Sequence, residues 1–303
     1  MPARKAAKYR DIDGVLILDK PAGCSSNQAL QQVRRLYRAR KAGHCGSLDP
    51  LATGVLPLCL GQATRSSSYL LGASKTYRAS ARLGQTTATG DAEGEMLDSR
   101  PVDVSREQVK SVLMRFRGRI DQVPPMYSAL RHQGKRLYQL ARGGRQVERE
   151  PRRIEIHELE LLGFEHERLD FEVCCSSGTY VRTLAEDIGN ALGCGAHLTA
   201  LRRTAVDRLS LRDAVGLEQL MATDETRLDE LLQPVSAALE QFAELRLDAG
   251  ASRDIGHGRR VKLVQPTAAG LYRLVSAEGF FIGLGEVGAD AELSAKRLMN
   301  TAR

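Results

Sequence analysis

Asp49 is the residue of this chain best placed to do chemistry. It lies in a run from Gly43 to Gly61 that reads Gly-His-Cys-Gly-Ser-Leu-Asp-Pro-Leu-Ala-Thr-Gly-Val-Leu-Pro-Leu-Cys-Leu-Gly. Glycines on either side make a sharp loop, and Pro50 biases Asp49 toward an extended backbone and blocks a helix across it. The run then turns almost continuously apolar through Leu60, as a buried strand does. A tight loop entering a buried strand holds a charged group rigidly. A lone fixed carboxylate can ligate a metal, act as a base or attack an electrophile. Phosphoryl transfer of the Asp-x-Asp-x-Thr kind needs a carboxylate at position 51, which is Leu51, and no carboxylate or histidine for a metal follows before Gly61. Nucleophile or base remains, beside the plainer role of an aspartate accepting backbone hydrogen bonds in a turn.

The elements around this loop can be read from periodicity. Ile12 to Leu18 suits a strand, Asp19-Lys20-Pro21-Ala22-Gly23 a turn, and Ser25 or Ser26 can cap a helix with Ala29, Val33, Leu36 and Tyr37 on its apolar face. Lys75 to Leu83 alternates with Tyr77, Ala79, Ala81 and Leu83 on one face, which turns Tyr77 inward. Ser105 to Arg117 reads as a helix with a Ser105–Gln108 capping box, closed by Gly118. Arg153 to Leu162 and Leu169 to Cys175 read as strands. Gly178-Thr179-Tyr180-Val181-Arg182-Thr183-Leu184 then runs into a helix that ends at Gly193. Short helical patterns fill Leu217 to Leu247. The stretch from Arg246 changes character, with Leu271 to Ala277 and Phe280 to Val287 forming a hairpin across Glu278-Gly279.

Composition narrows the function classes. The chain has 303 residues, 42% hydrophobic and 27% charged, which is ordinary for a globular protein of one large and one small domain. No run approaches the roughly 18 apolar residues of a membrane span, and the basic start has no signal-peptide core after it. The net charge is +7, and between Pro124 and Arg153 eight basic residues stand against Glu148 and Glu150. Such concentration beside Tyr127 and Tyr138, with Gly134, Gly143 and Gly144 interspersed, suits a mobile flap contacting phosphates. None of the six cysteines forms a Cys-x-x-Cys pair, so reduced thiols in a cytoplasmic protein without a metal site are expected. No Rossmann glycine fingerprint or P-loop is present, and no cofactor is expected.

The Asp49 run resembles the signature of the bacterial tRNA pseudouridine-55 synthase family, the TruB-type pseudouridine synthases, which share Gly-His-x-Gly-x-Leu-Asp-Pro-x-Ala-x-Gly-x-Leu around a catalytic aspartate. Cys45 departs from it, since a threonine is most often expected there. Lys-Thr-Tyr-Arg around Tyr77, Pro-Pro-Met-Tyr-Ser-Ala at Pro124, Gly178 to Leu184, and Ala196 to Arg203 match further family motifs. The resemblance implies an α+β pseudouridine-synthase fold with a mixed, largely antiparallel central sheet flanked by helices and loops, followed by a small PUA-like β-barrel. It implies a catalytic domain over residues 1–245, with an RNA-gripping insertion at 124–153, and an RNA-binding domain over 246–303.

The same resemblance assigns roles. Asp49 is the catalytic aspartate. Tyr77 stacks on the target base and is a candidate base in a later proton transfer, and Arg182 pairs with the aspartate. Tyr180 contacts the substrate, Leu201 lines the base pocket, His44 holds open the space the base leaves, and Lys20 with Pro21 supports the loop. The implied reaction is isomerisation of uridine 55 in the T-loop of tRNA, flipped from its stack, by a monomeric enzyme. Two readings compete: an RNA chaperone using the same basic surface, which leaves Asp49, Tyr77 and Arg182 without a purpose, and a nucleoside glycosidase, which usually needs a second carboxylate.

Overall fold

The computed structural model describes residues 9–299. The chain divides into two compact units. One holds the chain up to Pro50, Gly54–Gly72 and the chain from Val206 onward, and the other holds Leu51–Thr53 and Ala73–Ala205.

In the first unit, a strand apolar on both faces belongs inside a sheet. Strand β1 (Gly14–Lys20) meets this: Val15, Leu16 and Leu18 are fully buried. Helix α1 (Ser26–Leu36) starts at the Ser25–Gln28 capping box and buries Ala29, Leu30 and Val33. Strand β2 (Ala42–His44) runs antiparallel to the last residues of β3 (Thr53–Leu60). Strand β3 pairs antiparallel with the whole of β1, Gly14 opposite Leu60 and Lys20 opposite Gly54. Helix α2 (Ser67–Gly72) closes this part.

The second unit opens with β4 (Lys75–Leu83), whose alternate residues from Lys75 to Leu83 are all buried, followed by the small hairpin of β5 (Gln85–Thr87) and β6 (Met96–Ser99). Helix α3 (Arg106–Arg115) carries the Ser105–Gln108 capping box and buries Val109, Val112 and Leu113. Strand β7 (Gly118–Gln122) leads into the basic insertion, which contains the hairpin of β8 (Arg131–His132) and β9 (Lys135–Arg136) and helix α4 (Leu137–Arg142). Strands β10 (Arg152–Glu165) and β11 (Arg168–Cys175) form a long hairpin, α5 (Val181–Ala191) follows, and β12 (Ala196–Val206) returns to the sheet, in the order β12-β4-β11-β10-β7. Helix α3 packs on β10 and α5, and α5 packs on β4.

The chain then re-enters the first unit through β13 (Leu209–Ser210) and β14 (Val215–Gly216), the latter parallel to β1. After α6 (Leu217–Ala222) come β15 (Ala243–Leu247), α7 (Ala249–Gly256), β16 (Val261–Lys262), β17 (Gly270–Ser276), β18 (Phe281–Val287) and β19 (Glu292–Leu298). They make a second sheet in the order β15-β17-β18-β19-β16, with Leu247, Ile255, Leu274, Val287 and Leu293 as its core. The α+β class stands, and the β17–β18 hairpin turns at Gly279 as its sequence requires.

Gly61 ends the apolar run in a left-handed conformation, φ +54°, and a Cβ there would lie 2.0 Å from Asp13 Oδ1 and 2.3 Å from the Ile12 carbonyl. Gly61→Ala therefore combines backbone strain with a backbone clash, and should cost about 3 kcal/mol of unfolding free energy. Urea denaturation of the two proteins checks this; a loss below about 0.5 kcal/mol would show that the turn relaxes freely.

Candidate active site

The Asp49 loop is fixed by backbone bonds on both sides of the aspartate. Ser26, the first residue of α1, is buried, and its hydroxyl accepts from Leu48 N at 2.7 Å and donates to Leu48 O at 3.1 Å. Ser25 is the helix cap, which leaves Ser26 for this second duty. On the other side, Gly23 N donates to Pro50 O at 2.9 Å, and Cys45 N donates to Pro57 O at 2.9 Å. Asp49 itself is half-buried, as is His44 at the end of β2.

Lys20 underlies this arrangement. It is 0% exposed at the end of β1, and its ammonium donates to Pro21 O at 2.8 Å and Cys24 O at 2.7 Å. A buried ammonium needs such acceptors. It thereby rounds off the turn whose Gly23 holds Pro50. Cys45 and Cys59 are fully buried free thiols with their sulfurs 3.3 Å apart; the hydrogen bond they share and burial push the Cys59 thiol well above its ordinary range.

In the second unit, Tyr77 is 9% exposed on β4, opposite Val173, and Leu201 is buried on β12. Tyr180 is the residue before α5, and its backbone is clamped by the buried amide of Gln122: Tyr180 N donates to Gln122 Oε1 at 2.8 Å and Gln122 Nε2 donates to Tyr180 O at 3.1 Å. Arg182, on the first turn of α5, is 5% exposed. Its guanidinium donates to Thr89 O and to Tyr127 O, each at 2.8 Å, and its Nε lies 3.6 Å from Asp91 Oδ2. Asp91 is equally buried and accepts from the Thr89 hydroxyl and from Glu93 N.

The sequence reading missed Asp91, Gln122 and Ser26. Each carries a weak signal: Asp91 sits in the turn-rich stretch Thr89-Gly90-Asp91, Gln122 immediately precedes the basic insertion, and Ser26 adjoins a cap. What links them to the motifs is spatial contact, which no local spacing encodes. Through Tyr127, Arg182 reaches the Pro-Pro-Met-Tyr-Ser-Ala segment, so two separately recognised motifs meet at one guanidinium. Chemically, the first unit offers an anion on an immobilised loop. The second offers a cation and two phenol-bearing residues on rigid elements.

Similarity to known proteins runs along most of the chain. Residues 34–181 match the family model for TruB family pseudouridylate synthase (N terminal domain), residues 182–240 that for the tRNA pseudouridylate synthase B C-terminal domain, and residues 243–299 that for Pseudouridine synthase II TruB, C-terminal. The tRNA pseudouridine synthase B of Methylobacillus flagellatus is 50% identical over 293 residues, covering 97% of each chain. That of Burkholderia lata is 57% identical over 260 residues, covering 86% of this chain and 81% of its own. Among solved structures, a Cbf5-Nop10-Gar1 complex matches with a TM-score of 0.71 at 27% identity, covering 90% of this chain and 78% of the other. An H/ACA RNP bound to a substrate RNA containing 2′-deoxyuridine matches in fold, with a TM-score of 0.71 at 23% identity over 94% of this chain and 84% of the other.

Asp91→Asn removes the charge opposite a buried guanidinium while keeping the side chain's shape. Breaking a buried pair from one side leaves an uncompensated charge, so a loss of about 3 kcal/mol in stability is expected. Urea unfolding measures it, and a variant as stable as the parent would show that the buried Arg182 does not depend on Asp91.

Proposed function

Because the chain belongs to the TruB family of pseudouridylate synthases, we propose that it isomerises uridine 55 in the T-loop of tRNA, with Asp49 as the reacting carboxylate. The N1–C1′ bond breaks, the uracil turns over, and C5 bonds to C1′ while its hydrogen passes to N1. Redox and phosphoryl chemistry have no part in this balance. The observation that carries the reading is the pinned loop: both backbone groups of Leu48 bond to the Ser26 hydroxyl and Pro50 O accepts from Gly23 N, so the aspartate is oriented before substrate arrives. Preorganisation of this kind is what a nucleophile or base needs, since its geometry otherwise has to be found at the expense of rate.

The other roles follow the family motifs. Tyr77 stacks on the base and is positioned for a proton transfer, Tyr180 and Leu201 shape the base pocket, His44 keeps the flipped nucleotide out of its stack, and Lys20 supports the loop. Arg182 steadies the reacting carboxylate. Extrusion of the base costs a few kcal/mol, which phosphate contacts offset. The basic insertion 124–153 suits those contacts; Arg149 closes its base by donating to Pro124 O at 3.0 Å.

The functional division we propose falls between residues 1–245 and 246–303; the β15–β19 sheet has its own core, and the boundary runs through β15 (Ala243–Leu247). We read the protein as a cytoplasmic monomer, with its six thiols free. Folding of tRNA by the same basic surfaces would be a second activity, independent of Asp49.

Asp49→Asn should abolish release of tritium from C5-labelled uridine in tRNA while tRNA affinity stays within a few-fold and any refolding of misfolded tRNA persists; near-normal release would remove Asp49 from the mechanism. For Arg182→Ala the single-turnover rate should fall by at least a hundredfold, with filter-binding affinity changed far less. An equal loss in both would make Arg182 a binding residue.

A further inference from the structure

Glu186 has no part in the roles above, yet it stands four residues after Arg182 on α5, so the two side chains share a face of the helix. Both meet the same turn. Arg182 donates to Thr89 O and faces Asp91, the residues on either side of Gly90. Gly90 itself is backed by Glu186: a Cβ at Gly90 would lie 2.9 Å from the Glu186 carboxyl carbon and Oε1, and 3.0 Å from Oε2. The turn is also tied at its centre, since Gly90 N donates to Thr87 O at 3.2 Å and Gly90 O accepts from Leu198 N at 3.0 Å.

We propose that Glu186 is a positioning residue for Arg182, its carboxyl backing the Thr89–Asp91 turn and so fixing the two groups of that turn that hold the guanidinium. The inference rests on the part assigned to Arg182 in the reaction. The charged groups facing Glu186 are Asp187 beside it, Arg182 one turn earlier, Asp91 on the turn and Arg149 at the end of the insertion. Burial, then Asp187, push its carboxyl up to about 7, with Arg182 opposing and Asp91 adding to the rise. Asp187 is pushed up to about 6 by burial. The native state thus favours the neutral acid of Glu186: its contribution is complete below the ordinary carboxylate range and is lost as pH rises through about 7. Neutral, Glu186 packs on Gly90 and adds no charge beside the guanidinium. Ionised, it is a further anion drawing on the same cation.

The test uses the full chain and an unmodified tRNA transcript, with single-turnover pseudouridine formation followed from pH 5.5 to 8.5 beside filter-binding affinity. The parent rate should fall at least threefold as pH rises through 7. Glu186→Gln, which keeps the shape and cannot ionise, should abolish that fall. Glu186→Ala should lower kcat about tenfold with KM within twofold, and should add nothing in the Arg182→Ala background. A pH step that survives Glu186→Gln, or a kcat within twofold of the parent for Glu186→Ala, overturns the proposal. Thermal melts identify a Glu186→Ala protein that fails to fold, in which case the pH profile of Glu186→Gln decides. An active Arg182→Ala enzyme would instead sink the role of Arg182 itself, whereas an inactive one beside an unaffected Glu186→Ala sinks only the role of Glu186.

Discussion

A single serine hydroxyl holds both backbone groups of the residue before Asp49. Ser26 Oγ accepts from Leu48 N and donates to Leu48 O, a geometry available to a hydroxyl because it is donor and acceptor at once. The loop therefore depends on where α1 begins. That start is set by the Ser25 cap, and the turn before it is set by Lys20 donating to Pro21 O and Cys24 O. The order of dependence runs from a buried lysine to a rounded turn, to a helix start, to an immobile loop. A catalytic carboxylate gains from such a chain because a displacement of about 1 Å at the reacting atoms can cost a hundredfold in rate.

The second unit solves a different problem, the burial of a guanidinium. Removing Arg182 from water is expensive, and its attraction to Asp91 at 3.6 Å repays this only if the remaining donors are satisfied. Two carbonyls, from Thr89 and Tyr127, meet part of that need. Neutral acceptors satisfy donors without cancelling charge, so they hold the cation in place and preserve its field. The Thr89–Asp91 turn supplies both a carbonyl and the Asp91 carboxylate to it, which makes the shape of that turn, and the glycine at its centre, part of the charge arrangement.

Much of this was legible from the sequence because the relevant signals are local. Period-two alternation places β4 from Lys75 to Leu83 with its register toward the core, the Ser105–Gln108 pair marks one helix start, and Ser25 or Ser26 marks another, where the structure chooses Ser25. The Asp49, Tyr77 and Arg182 motifs could be found as short runs of fixed residues. Contacts between distant segments were not legible. Gln122 to Tyr180 spans 58 residues and Asp91 to Arg182 a still longer stretch of chain, and neither polar residue differs in sequence from one that is solvated. The C-terminal sequence shows a hairpin within a PUA-like barrel, but the parallel β15–β17 pair requires a crossover that no turn signature announces.

Cys45 shows how a departure from a motif can be absorbed by packing. A threonine hydroxyl buried at that position would need a hydrogen-bond partner, whereas a thiol behaves as a small apolar group with a weak donor. Here the partner is a second thiol: Cys59 lies on β3 opposite Gly43, two residues from Cys45 on the neighbouring strand, and the sulfurs meet at 3.3 Å. The Cys45 backbone bond to Pro57 O is made regardless of the side chain, so the loop keeps its anchor. With the Cys59 thiol pushed well above its ordinary range, that thiol stays protonated and unreactive in the interior. The substitution therefore changes what fills the interior behind the loop and leaves the direction of Asp49 to Ser26 and Gly23.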